Sequence, residues 1–201
     1  MKIALTGGIA CGKSLLSKFL NELGVETLDA DDVVHELLPD PEERRRIAAE
    51  VFSDPEKRRA LEAKIHPLVK EKIDAWLDRT SGTNRTTGTD VTNGTSACPV
   101  SLGGLVCPVR VAVIPLLFEA HWEKNFDIIC CVASTRERQI ERMVATRGMT
   151  LAEAEARLAA QMPVEEKAKR SHYVIHNNGT ADELRAEAQK FVAWLHEQKS
   201  N

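Results

Sequence analysis

The sequence predicts an α/β fold built on a parallel sheet. Three observations lead there. The chain opens with a short apolar run, a glycine-rich turn, a helical stripe and a second apolar run, which is the strand–turn–helix–strand order of such folds. Later apolar runs are continuous rather than alternating, as in strands buried on both faces. Helical patterns with charged faces lie between them.

Lys2 to Thr6 reads as the first strand, followed by Gly7-Gly8-Ile9-Ala10-Cys11-Gly12-Lys13-Ser14. Ser14 to Leu23 reads as a helix, with Leu15, Leu16, Phe19, Leu20 and Leu23 on its stripe and Gly24 as its stop. Val25 to Leu28 is the second strand and runs into Asp29-Ala30-Asp31. From Asp32 to about Leu77 the text is helical and charged, with Pro41, Pro55 and Pro67 each near the start of a helical run, where proline is tolerated. Residues 79–99 are dominated by Ser, Thr, Gly and Asn and are expected to form a flexible surface loop. Residues 100–106 read as a small hairpin around Gly103-Gly104. Arg110 to Phe118 and Phe126 to Ala133 are the next two strands. Ser134 opens a helix carrying Arg136, Arg138, Arg142 and Arg147, and Thr150 with Glu153 forms a capping box for the helix after it. Pro163 opens a charged segment, and His172 to His176 is the fifth strand. Thr180 with Glu183 caps a final amphipathic helix, with Leu184, Ala188, Phe191, Val192 and Leu195 on one stripe.

Composition narrows the function classes. The 201 residues carry a net charge of −3, without the basic excess of a dedicated nucleic-acid binder. Aromatic residues are too scarce for a base-stacking platform. The five cysteines are odd in number and form no CxxC pair, so free thiols in a reducing cytoplasm fit better than zinc or a disulfide framework. The N-terminus has no signal-peptide pattern and no apolar run reaches transmembrane length, so a cytoplasmic chain without membrane contact is expected.

Gly7-x4-Gly12-Lys13-Ser14 has Walker A spacing in the right context, after a strand and before a helix. Such a loop turns several backbone N–H groups toward one phosphate cluster, and the helix adds its positive end. Lys13 then reaches the β/γ-phosphates and the Ser14 hydroxyl can ligate Mg²⁺. No guanine-reading Asn-Lys-x-Asp is present. A short chain with this loop, an early Asp pair and an arginine-rich helical segment suits a small-molecule kinase using ATP. Asp31, just past the second strand, is placed to take the acceptor proton, although Asp29 and Asp31 are also ordinary helix N-caps. Arg142 and Arg147 are the preferred pair for a closing lid, because both lie toward the turn at Gly148; a solvated helical face with salt links is the competing reading.

These residues resemble the dephospho-coenzyme A kinase family. The matching stretches are LTGGIACGKS (5–14), DAD (29–31), VFSDPEKRRALEAKIHPLV (51–69), IPLLFE (114–119), ERQIERM with Arg147 (137–147), AEARLAAQMPVEEK (154–167) and YVIHNNG (173–179). The resemblance implies a P-loop NTPase three-layer fold with a five-stranded parallel sheet, a helical substrate lobe and a helical lid. It implies transfer of the ATP γ-phosphate to the ribose 3′-hydroxyl of dephospho-CoA, with Mg²⁺. The implied ATP loop is Gly8, Ile9, Ala10, Cys11, Gly12, Lys13, Ser14 and Leu15, joined by Arg142 at the phosphates and Asn177 beside the adenine. Lys13, Asp31 and Arg142 are the implied catalytic residues, Ser14 the metal ligand, and Asp31, His66, Glu119 and Arg147 the acceptor side. The expected organisation is a core of 1–32, 110–135 and 171–201, a substrate lobe of 33–78, a low-complexity insertion of 79–109 and a lid of 136–170. A monomer or weak homo-oligomer is expected.

Three departures from the family pattern stand out: Leu15 where a threonine is usual, a short stretch between DAD and VF in which Arg44 stands for a usual arginine, and the insertion itself. The alternatives are another small-metabolite or nucleoside monophosphate kinase, and a nucleotide-binding module without transfer activity.

Overall fold

The computed structural model describes residues 1–38, 40, 42, 46, 55–79 and 109–200. Pro41, Arg44 and the 100–106 hairpin lie outside them, as does nearly all of the 79–109 segment. The chain divides into two compact units, Met1–Thr27 with Thr80–Asn201, and Leu28–Arg79.

The first unit contains most of a five-stranded sheet. In chain order its strands are β1 (Ile3–Gly7), β2 (Glu26–Asp29, which runs into the second unit), β3 (Arg110–Val113), β4 (Ile128–Ala133) and β5 (Tyr173–His176). Their order across the sheet is β2-β3-β1-β4-β5. β1 runs parallel to β3 and β4, with Ile3 opposite Val111 and Ile128, and β4 runs parallel to β5, with Cys130 opposite Tyr173. Every residue of β1 and β4 is buried, which is why both read as continuous apolar runs.

Helix α1 (Lys13–Glu22) buries Leu16, Phe19 and Leu20, each contributing about 1.5–3 kcal/mol of burial. Leu15, expected on the same stripe, is 39% exposed, because one more step around the helix carries it off the core face. The helix stops as the sequence suggests: Gly24 adopts φ 82°, the Gly24 N–H donates to Asn21 O (3.0 Å) and the Val25 N–H to Leu20 O (2.9 Å).

The predicted strand from Arg110 to Phe118 is half as long. β3 ends at Val113 and Ile114 gives one more bond to Leu5 O (2.8 Å). Pro115 has no N–H to continue the ladder, so the chain coils instead, with Ala120 N–H donating to Leu116 O and Trp122 N–H to Leu117 O. Leu117 and Phe118 are still buried, from a turn rather than a strand, and Glu119 lies in that turn.

Beyond β4 come α4 (Arg136–Arg147), α5 (Leu151–Ala159) and α6 (Val164–Lys169). Thr135, not Ser134, caps α4, and the Thr150–Glu153 capping box of α5 forms in both directions. The last helix (Ala181–Ser200), α7 here, buries Leu184, Ala188, Phe191 and Leu195, and Val192 packs half-buried beside them.

The second unit pairs α2 (Ala30–Leu37) with α3 (Pro55–Leu77). Lys72 bonds Glu36 across them at 3.0 Å, and Val33, Val69 and Ile73 are buried. Pro55 opens α3, but Pro67 sits inside it rather than at the start of a new helix. The missing N–H and ring clash cost about 3 kcal/mol. Burial of Val69 and Ile73 just beyond it offsets that cost.

Candidate active site

The Gly7–Ser14 loop joins the end of β1 to the start of α1. Gly12 is the N-cap of α1 with φ 93° and supplies no side-chain cap, so the helix start is left uncapped by a side chain and has no acidic residue in its first turn. That is an anion seat. A side chain at Gly12 would also run into Asn177 Nδ2. Lys13 folds its ammonium back over the loop, donating to Gly7 O (3.0 Å) and Gly8 O (2.9 Å). Ser14 and Leu15 are exposed at the head of the helix.

The loop is held from behind by residues far away in sequence. Asn177 is 5% exposed and donates from Nδ2 to Cys11 O (2.8 Å). Arg142 donates to Ala10 O (3.3 Å), Ser134 Oγ (3.1 Å), Asn177 O (3.0 Å) and Asn177 Oδ1 (3.4 Å). Ser134 in turn donates to Asn177 O at 2.6 Å. Gln139, 3% exposed, donates to Ile9 O (2.7 Å), and Gln161 Oε1 accepts from the Ile9 N–H (3.2 Å). Ala10 is carried at φ 57°, a strained value for a residue other than glycine that this bracing maintains.

Arg142 therefore meets the loop through the Ala10 carbonyl and through Asn177. Arg147 does not accompany it. Five residues apart on a helix, the two side chains point about 140° away from each other, and Arg147 is exposed at the last turn. Arg138 is the one of these arginines that takes the salt-link role within the helix, with Glu141 at 2.9 Å, while Arg136 reaches Glu155 on α5 at 3.3 Å.

Glu119 faces Lys167, not a solvent-exposed cleft alone. Its Oε1 accepts from Lys167 Nζ (2.8 Å) and from the Met162 N–H (3.1 Å), while Oε2 is buried without a partner among the described residues. Lys167 is wholly buried and also donates to Pro115 O at 2.9 Å. Thr6 Oγ1, one residue before the loop, donates to the same carbonyl at 3.3 Å. Burial pushes the Cys11 thiol up, only partly offset by the Lys13 charge, so this cysteine is a packing residue and not a nucleophile.

In the second unit Asp29 is the N-cap of α2, its Oδ1 accepting from the Asp31 N–H at 2.9 Å. The capping role weighed for both aspartates thus falls to Asp29, and Asp31 projects an exposed carboxylate from the first turn. His66 lies half-buried within α3.

Gln139, Gln161, Ser134 and Lys167 were not singled out from sequence. A glutamine on the same face as Arg142, three residues away, was the available signal for Gln139.

Two hollows border this region. One of about 270 Å³ is lined by Gly8, Ile9, Arg136, Gln139, Gln161 and neighbours from 158–165. The other, of about 430 Å³, lies along Asn177, Asn178 and Gly179 and the start of α7.

Known proteins resemble this chain in sequence and in fold. The dephospho-CoA kinase family model matches residues 1–43 and 102–183. A dephospho-CoA kinase of Synechococcus is 35% identical over 94% of this chain and 90% of its own length. That of Geobacter sulfurreducens is 34% identical over 95% and 96%. A Thermus thermophilus protein of known crystal structure superposes with a TM-score of 0.70 at 31% identity, covering 97% of each chain. A shikimate kinase from Acinetobacter baumannii, at 0.57 and 16% identity, covering all of this chain and 95% of its own, shares the fold alone. The family model matches more than half of the chain and these relatives match along nearly all of it: the chain belongs to the dephospho-CoA kinase family.

Proposed function

We propose that this protein transfers the γ-phosphoryl group of ATP to the ribose 3′-hydroxyl of dephospho-CoA, releasing CoA and ADP as the final step of CoA biosynthesis. Family membership carries the reading, because the matched residues include both the phosphate loop and the arginine segment that braces it.

The ATP phosphates seat on the open amides at the head of α1, and Lys13 moves its ammonium from the carbonyls of Gly7 and Gly8 onto the β/γ oxygens. The donor set suits Mg²⁺: the exposed Ser14 hydroxyl supplies one hard oxygen, and phosphates and water supply the others. Held by Ser14, Mg²⁺ would supply positive charge that offsets the charge of the phosphates during transfer. Asp31 accepts the 3′-hydroxyl proton as the new O–P bond forms and the bond to the β-phosphate oxygen breaks. Arg142 supports the transferred charge. Asn177 lies beside the adenine, and His66, Glu119 and Arg147 serve the acceptor side. The lobe is 33–78, the lid 136–170, and 79–109 an insertion. The protein works in the cytoplasm, as a monomer or weak homo-oligomer, without nucleic acid or membrane; among the described residues no helix is long and apolar enough to cross one.

Incubating the purified chain with ATP and a panel of acceptors tests this, with CoA formation followed by a coupled assay. CoA from dephospho-CoA, with no comparable product from nucleoside monophosphates, is expected; no CoA at all overturns the assignment. Asp31→Asn should lower kcat far more than ATP affinity, and near-normal turnover removes Asp31 from the mechanism.

A further inference from the structure

Ile9 is gripped on both sides of its backbone by side chains more than a hundred residues away. Gln139 Nε2 donates to its carbonyl at 2.7 Å, and Gln161 Oε1 accepts from its N–H at 3.2 Å. The polarity of both bonds is fixed, since a carbonyl can only accept and an amide N–H only donate. Gln139 comes from the first turns of α4, and Gln161 from the turn after α5. The arginine-bearing segment therefore touches the loop at both of its roots, while the α4–α5 turn at Gly148 stays exposed.

The grip also accounts for Gly8. A side chain there would come within 2.5 Å of Gln139 Nε2, so the loop leaves room for the glutamine rather than simply being bendable. Ile9 adjoins Gly8, whose carbonyl lies 2.9 Å from the Lys13 ammonium. That ammonium marks the β/γ end of the loop, whereas Ser14 and Leu15 mark the end nearer the helix. The Met162 N–H, one residue past Gln161, is held in turn by Glu119.

We propose that Gln139 and Gln161 are positioning residues that fix the γ-phosphate end of the loop by clamping the backbone of Ile9. They act through the loop and touch no reacting atom. The proposal rests on the phosphoryl-transfer reading above for its kinetic part only. The clamp itself is a property of the protein without substrate.

Methionine at either position keeps the side-chain length and volume but neither donates nor accepts. Exchange of the Ile9 amide with solvent, followed by NMR on the labelled full chain, reads the clamp directly. In Gln161→Met it should accelerate about tenfold, near the top of what one net hydrogen bond is worth. Gln161→Glu retains an acceptor and should leave the exchange near wild type. In kinetics, Gln139→Met and Gln161→Met should each lower kcat about tenfold or more, with ADP affinity by calorimetry changed less than about threefold.

Unchanged Ile9 exchange in Gln161→Met, or equal acceleration in the Met and Glu variants, overturns the clamp. Faster exchange with unaltered kcat in both Met variants overturns its role in transfer. If the wild-type chain makes no CoA, the acceptor assignment fails, and the clamp is then decided by exchange and by the affinity ratio of a non-hydrolysable ATP analogue to ADP. That ratio should fall in both Met variants, and an unchanged ratio overturns the proposal.

Discussion

Lys167→Met removes a wholly buried ammonium whose two acceptors are Glu119 Oε1 at 2.8 Å and Pro115 O at 2.9 Å. Breaking a buried ion pair by deleting one partner costs about 3–5 kcal/mol, because the remaining charge stays desolvated. Here the remaining group is less isolated: the Glu119 side chain is 24% exposed and keeps the Met162 N–H, and Pro115 O keeps Thr6. The cost should fall below that range, at about 2–3 kcal/mol. For a chain of this size each kcal/mol lowers Tm by about 2–4 °C, so thermal melting should drop by about 5–10 °C. Adding Glu119→Gln makes the pair neutral while leaving an oxygen for the Met162 N–H. The double variant should regain most of the lost stability, as neutral replacements of buried pairs generally do. Circular dichroism melts of the wild type, both singles and the double give the coupling. A single variant melting within about 1 °C of wild type refutes the reasoning, since Lys167 would then carry no uncompensated partner. A double variant no more stable than Lys167→Met refutes it as well, because the damage would lie in packing and not in the orphaned carboxylate.

Two other substitutions probe the site and the core. Arg142→Lys keeps the charge but cannot span Ala10 O, Ser134 Oγ and Asn177 O with one planar fork. Steady-state kinetics should show kcat down by about a hundredfold, the lower end for loss of a preorganised charge-stabilising group, and near-wild-type turnover would exclude a geometric role for the guanidinium. Burial raises the Cys131 thiol from 9.0 to about 12. The unfolded thiol ionises first as pH rises, so the folded form binds more protons between those values and stability falls from pH 9 toward pH 12. Denaturant melts across that window should show a shallower decline in Cys131→Ala, and parallel declines would show that burial of this thiol is not coupled to folding.

The strand–loop–helix opening was legible because its reasons are local. Gly12 must reach φ 93°, Gly24 must end a helix, and the apolar spacing of α1 and α7 follows from the helical period. Boundaries failed where a single residue overrode an apolar run. Pro115 ended a strand that hydrophobicity alone extended to Phe118, and Pro67 was accommodated inside a helix by burial that the local text does not reveal. The site was legible in its list of chemical groups and much less so in its supports. Arg142 stood out because a positive charge near phosphate has an obvious use, yet its partners lie at Ala10 and Asn177.

The loop makes few bonds of its own. Its shape comes from Gln139, 130 residues away, from Gln161, 152 away, and from Asn177, 166 away. Period and spacing carry no information at such separations. Asparagine and glutamine also look alike in sequence whether they sit in solvent or clamp a buried carbonyl. The division of labour is physical: residues 7–14 supply the glycine turn and the helix start, and side chains between 134 and 177 hold that turn in place. A loop with a perfect motif and altered braces should therefore still bind nucleotide through its amides and α1, while losing the alignment on which transfer depends.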